Sequence, residues 1–150
     1  MSIIAALEET RNQTLAFFNL PETELAKTYA PGKWTVKQIL HHLADAESVL
    51  CERIKRGIAE PQSVVFLFDQ DKWNETLNYP EMPLQLSQQQ FAATREQIIY
   101  LAGKYYDSHG ANTFFQAQVG LRTVKEEFDK VVWHSQKHIN QVREALASSF

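Results

Sequence analysis

Val131-Val132-Trp133-His134-Ser135-Gln136-Lys137-His138-Ile139-Asn140-Gln141-Val142 carries two histidines four residues apart. Residues four apart on an α-helix stand one above the other on the same face. Such a pair can grip one metal ion from a single rigid element. The apolar neighbours identify the face. Val124, Phe128, Val131, Val142 and Leu146 recur at three- and four-residue spacing and form an inward stripe. At about 100° per residue, His138 falls inside that stripe and His134 on its edge. Both imidazoles point toward a core, where their ring nitrogens need partners. Backbone carbonyls would meet that need as well as a metal would. A third histidine elsewhere is what gives the metal reading weight.

Working outward, Thr123-Val124-Lys125-Glu126 is a capping box, which opens this last helix and carries it to about Ala147. Thr35-Val36-Lys37-Gln38 is another. It opens a second helix that runs to about Arg56 and stops at Gly57, with Val36, Ile39, Leu40, Leu43, Leu50 and Ile54 facing inward. His42 projects beside Ile39 and Ala46, on the flank of that stripe. His41 lies about 100° away and reads as a surface residue. Glu47, seven residues after Leu40, sits within the stripe. A carboxylate there costs free energy unless it is paired, hydrogen-bonded or solvated. It either pairs with a cation at the rim or handles protons.

Ser2 to Asn19 reads as a first helix, ended by Leu20-Pro21, and Pro21 to Lys33 as a connection turning at Pro31-Gly32. Ser87 to Gln90 matches a third capping box, opening a helix to about Tyr106 with Phe91, Thr94, Ile98 and Leu101 inward. Ala59 to Leu86 is a long connection, of a length uncommon without a function or structure of its own. Its aromatic middle, Phe66 to Trp73, is expected to pack over one end of the domain, with a short helix near Asp71 to Thr76. Thr113 to Val119 is at most a short extended piece. Four amphipathic helices without a convincing strand pair predict one all-α domain over residues 1–150, a four-helix bundle with a long crossover between the second and third helices.

Composition narrows the function. A chain of 150 residues suits one domain. A net charge of -3 with scattered basic residues gives no electrostatic case for nucleic acid or an anionic membrane. No apolar run approaches a membrane span. The first ten residues lack the basic start of a signal peptide, so a cytoplasmic location is expected. The one cysteine, Cys51, excludes an intramolecular disulfide framework, and nothing in the sequence activates it.

The inward polar set is then His42 with His134 and His138, on two helices of one bundle. Three neutral imidazoles suit zinc, nickel, iron or copper better than calcium or magnesium. Three protein ligands leave a coordination position open, as catalytic zinc sites do. An open position acidifies a bound water or thiol and polarises an electrophile. Three separately satisfied histidines are the alternative.

Pro31-Gly32-Lys33-Trp34-Thr35-Val36-Lys37-Gln38-Ile39-Leu40-His41-His42-Leu43-Ala44-Asp45 resembles the helix-two motif of the DinB-like superfamily. Trp133 to Gln141 resembles its last-helix motif, and Phe68 to Trp73 is similar to the intervening segment of the YfiT-like branch. The similarity runs over most of the chain. It implies a bundle with crossed connections, a divalent nickel or zinc ion on His42, His134 and His138, and a homodimer. The resemblance further implies transfer of a small thiol such as bacillithiol, mycothiol or glutathione, or metal-dependent hydrolysis, for which the YfiT-like branch is named. Two departures stand out. Gln136 and Lys137 lie where the last-helix motif often carries a further histidine, and His109-Gly110-Ala111 where a His-Pro-Glu turn is common.

The leading expectation is a metal-dependent enzyme that moves a low-molecular-weight thiol onto a small electrophile. Amide or ester hydrolysis and a non-catalytic, stress-associated metal-binding dimer are the alternatives. Glu47, and Asp69 if its loop folds over the site, are the catalytic candidates. Trp34 and Trp73 are candidates for the entrance.

Overall fold

The computed structural model describes every residue from Met1 to Phe150. In chain order the elements are α1 (Ile3–Phe17), α2 (Glu22–Leu25), α3 (Val36–Ala59), β1 (Val64–Val65), α4 (Gln70–Thr76), a 3₁₀ turn (Tyr79–Glu81), α5 (Leu84–Tyr105), β2 (Thr113–Gln116), β3 (Gly120–Thr123) and α6 (Val124–Ala147). Both capping boxes expected at Thr35 and Thr123 form. In each, the threonine hydroxyl accepts from the backbone three residues on, and the Gln38 or Glu126 side chain accepts from the threonine N–H.

The four long helices make a bundle in which α1 and α3 each pack against both α5 and α6. Consecutive helices α1 and α3 therefore sit on a diagonal, as do α5 and α6. Side-chain bonds joining α3 to α5 climb in one direction: His41 with Ser87, Asp45 with Gln90, Lys55 with Gln97. These helices run parallel, so the connection between them must return along the bundle, which is the crossover the long segment promised. A 24-residue helix is about 36 Å long. Residues 60–83 cover that return with β1, α4 and the 3₁₀ turn.

Two apolar clusters fill the interior. Phe18, Val36, Leu40, Leu43, Phe91 and Val142 belong to one; Leu7, Leu50, Ile54, Ile98, Phe128 and Val131 belong to the other. Between them lies a polar layer to which every long helix contributes. Arg95 of α5, fully buried, donates to both Glu47 carboxylate oxygens on α3, to Leu7 O and Thr10 Oγ1 on α1, and to Ser135 Oγ on α6. All five guanidinium N–H donors are used.

Four expectations need correction. Helix α3 does not stop at Gly57 but runs through it to Ala59. That glycine serves packing: a Cβ there would lie 2.5 Å from Val124 Cγ2. Ser87 does not cap α5, which starts earlier, at Leu84 after Pro83. Its hydroxyl instead bonds His41 Nδ1 at 2.7 Å. His41 is not a surface residue but fully buried, because the start of α5 and the 3₁₀ turn cover that side of α3; its ring packs 5.4 Å from Tyr79. Finally, a small sheet exists, in the order β1-β2-β3. β1 pairs parallel with β2, and β2 pairs antiparallel with β3. The hairpin closes at Gly120, whose φ of +83° favours glycine.

Candidate metal centre

His42 comes from the second turn of α3, and His134 and His138 from consecutive turns in the middle of α6. Their ring centroids form a nearly equilateral triangle with sides of 5.0, 4.7 and 4.6 Å. The planes meet at 66° to 74°, so each ring presents an edge to the others. One nitrogen from each lies within 4.8 Å of the other two. His42 Nε2 and His134 Nε2 are 3.0 Å apart. A tetrahedral zinc ion with bonds of about 2.0–2.1 Å sets its nitrogens about 3.3 Å apart, so small side-chain adjustments accommodate such an ion.

The electrostatics suit ligation. Burial pushes the proton affinity of all three rings down, to pKa values of about 3 for His42, about 2 for His134 and about 4 for His138. The neighbouring imidazoles and Lys137 push the same way for His42 and His134. For His138, the bond to Gln141 opposes the fall. Neutral imidazoles keep lone pairs available. His138 Nδ1 donates to Gln141 Oε1 at 2.7 Å, which turns Nε2 toward the cluster. His42 Nδ1 is buried without a partner.

Aromatic rings wall the cluster. Phe68 stacks on His42, with centroids 5.8 Å apart and planes 1° from parallel. Trp34 meets His42 edge-on at 5.2 Å, and Trp73 braces Phe68 at 4.7 Å. The expectation that Phe66 to Trp73 packs over the bundle therefore holds for Phe68, which covers His42, and for Trp73 behind it, but not for Phe66, which is 94% exposed. A cavity of about 350 Å³ opens beside His138, bounded by Tyr29, Trp34 and Asp71. A second, of about 220 Å³, opens beside His42 and His134, bounded by Arg53, Gln116 and Lys130. Gln70 and Lys137 border both cavities.

A model of the DinB superfamily matches residues 6–142. The chain belongs to the DinB superfamily. Among curated proteins this DinB-superfamily chain is 27% identical to "Putative metal-dependent hydrolase OB0413" of Oceanobacillus iheyensis, over 87% of its own length and 75% of that protein's. It is 26% identical to "Putative metal-dependent hydrolase BH0277" of Halalkalibacterium halodurans, over 85% and 74%. Among solved structures, YfiT from Bacillus subtilis matches with a TM-score of 0.86, 23% identity, and coverage of 95% of this chain and 83% of that one. YfiT is described as "a probable metal-dependent hydrolase with an unusual four-helix bundle topology". The shared architecture extends to the crossed helix order seen here.

In this DinB-superfamily fold the two carboxylates nominated from sequence lie outside the cluster. Glu47 is held by Arg95 in the polar layer; burial pushes its carboxyl upward and the guanidinium opposes that. Asp69 caps α4, its carboxylate accepting from Lys72 N at 3.1 Å. Asp71, two residues on, is the one carboxylate bordering either cavity. Cys51 is buried between α3 and its neighbours, and burial pushes its thiol away from the reactive thiolate. Sequence reasoning missed Arg95, though a signal was present. It stands four residues after Phe91 and three before Ile98, a cation inside an apolar stripe. It also missed Lys130 and Lys137, which flank His134 at helical spacing. No helix is long and apolar enough to cross a membrane.

Proposed function

We propose that this chain is a cytoplasmic, metal-dependent enzyme that holds one zinc or nickel ion on His42, His134 and His138 and transfers a low-molecular-weight thiol to a small electrophilic substrate. The observation that carries the reading is the convergence of three neutral imidazoles from two helices at the floor of a cleft. An ion held there favours the thiolate form of a bound thiol and polarises an electrophile. The chain's residues prepare the place. Gln141 sets the tautomer and direction of His138. Phe68 and Trp34 shield His42 from water and limit its rotation. The cavities on either side leave room for two reactants to approach the cluster from different directions. Asp71 is the one bordering group placed to accept a proton. A free thiol, with a pKa of about 8.5, starts much closer to neutral pH than water, at about 15.7, so its ionisation asks less of the ion and of such a base, which favours thiol transfer.

Hydrolysis is the second reading, favoured by the printed names of the relatives. Product analysis separates the two. A thioether adduct means transfer, and incorporation of solvent oxygen without thiol dependence means hydrolysis. The first test is metal content by mass spectrometry, on protein purified without added metal. About one zinc or nickel ion per chain is expected in the wild type, and none in His134→Ala. Thiols are then screened against monochlorobimane. A chain that refuses metal on titration overturns both enzyme readings. A loaded chain without turnover leaves a non-catalytic metal-binding protein.

A further inference from the structure

The smaller cavity has a lining that ligation of a metal does not require. Arg53 of α3 is 4% exposed and borders it. Its Nη2 donates to Phe66 O at 2.7 Å, but its Nε has no partner. Gln116 of β2 is 6% exposed and borders the same space. Its Oε1 accepts from the backbone N–H groups of Gln118 and Val119, at 2.9 and 2.8 Å, which commits the oxygen to the hairpin turn. The amide nitrogen is left as the group Gln116 can offer. Lys130 and Lys137 of α6 complete the wall, one turn before and one turn after Trp133 and His134. Gln70 and Gln118 add two more amides.

The charge balance is one-sided. Three cations border the cavity and no carboxylate does. Behind Arg53, Glu127 is 1% exposed, 3.9 Å from Arg53 Nη1 and 3.6 Å from Arg122 Nε, and its Oε1 accepts no hydrogen bond. It offsets one positive charge and leaves a surplus. A buried guanidinium with a free donor, next to an amide whose oxygen is already committed, is suited to an anionic acceptor.

We propose that this cavity is an anion subsite, and that the substrate carries a carboxylate or phosphate group which Arg53, Gln116, Lys130 and Lys137 hold while its reacting end lies at the histidine cluster. The proposal rests on the metal reading above for the position of the reacting end, and on the cavity lining alone for the anion. It gives the β2–β3 hairpin a function, since the turn holds the Gln116 oxygen and leaves its amide nitrogen as the group free for the cavity.

The test uses zinc-loaded protein and calorimetric titration with hydroxamates, which chelate an open metal. Butyrohydroxamate is compared with the monohydroxamates of succinate, glutarate and adipate, which add a carboxylate at increasing reach. At least one acid-bearing probe is expected to bind about tenfold more tightly than butyrohydroxamate. That advantage should vanish in Gln116→Glu, which keeps the oxygen for the turn but replaces the donor with a negative charge. It should shrink in Lys130→Gln, a partly exposed site near the buried Glu127, with a cooperative melt confirming that the variant is folded. Butyrohydroxamate itself should lose far less affinity than the acid-bearing probes in both variants. Equal binding of neutral and acidic probes by the wild type, or an advantage that survives Gln116→Glu, overturns the proposal. If no hydroxamate binds, the reading of an open metal position has failed and the subsite is read directly. Inorganic phosphate is then titrated into metal-free protein and followed by side-chain nitrogen NMR. Shifts at Arg53 and Gln116 that need more phosphate in Lys130→Gln sustain the subsite, and their absence in the wild type overturns it.

Discussion

Two sets of polar side chains are buried side by side in the same bundle, and they are finished differently. In the layer around Arg95, every guanidinium donor meets an acceptor: two on Glu47, and one each at Leu7, Thr10 and Ser135. In the histidine cluster, two Nε2 atoms face each other at 3.0 Å, where only one proton can sit, and His42 Nδ1 has no partner at all. A satisfied network holds helices in register and asks for nothing more. A buried set left incomplete is held in place at a cost, and a ligand can remove that cost. The two sets meet on α6, where Ser135 serves the layer and its neighbour His134 the cluster.

The largest effect expected is on the finished set. Arg95→Met leaves the Glu47 carboxylate buried and unpaired, and should lower unfolding free energy by about 3–5 kcal/mol in urea titrations. The double variant Glu47→Leu/Arg95→Met removes both charges and should recover much of that loss. It should also still bind zinc, because no ligand has been touched. Loss of zinc in a folded double variant would show that the two sets are one.

Zinc added to metal-free wild type should raise stability by about 2.7 kcal/mol at a hundred times the dissociation constant. Calorimetric melting would show this as a rise in Tm, absent in His134→Ala. Gln141→Leu should weaken zinc binding about tenfold or more, because His138 loses the acceptor that fixes its ring.

The last expected effect is on pH response. All three imidazoles bind protons less readily when folded than at their ordinary value of 6.5. Below pH 6.5 the unfolded chain therefore takes up more protons than the folded one. The metal-free protein should lose stability as pH falls through about 6.5 toward 4, at up to about 1.4 kcal/mol per pH unit for each histidine. Replacing His138 by leucine should flatten that slope by up to one proton, while the double variant Glu47→Leu/Arg95→Met, which leaves no buried carboxyl to titrate in its place, should leave it unchanged.

Much of this organisation was legible beforehand where local signals carry it. Thr35 and Thr123 announce their helices because a capping box is a property of four consecutive residues. His42, His134 and His138 were selected by helical projection, and the folded chain does bring them together. What was lost needed tertiary information. Ser87 mimics a cap, but its hydroxyl goes to His41, which itself seemed solvent-facing because projection along α3 cannot see the 3₁₀ turn that covers it. Gly57 looks like a terminator until Val124 is known to press on it. The sheet escaped because β1 is two residues long and pairs with a strand about fifty positions later. Glu47 raised the right question, that of a carboxylate in an apolar stripe. Its answer, Arg95, lay in the matching stripe of α5.

The diagonal placement of consecutive helices has a consequence for how the chain reaches this state. His42 and His134 are separated by 92 positions and meet only when the crossover is complete and α6 has docked. An early, partly assembled chain has His134 and His138 on one helix and no third ligand. The full cluster forms only once α3 and α6 have come together, and it is absent from any transition state in which they are still apart. Interactions made only after the barrier slow departure from the native state without speeding arrival. An ion in this cluster would act as a latch, lengthening the lifetime of the folded protein far more than it shortens the time needed to fold.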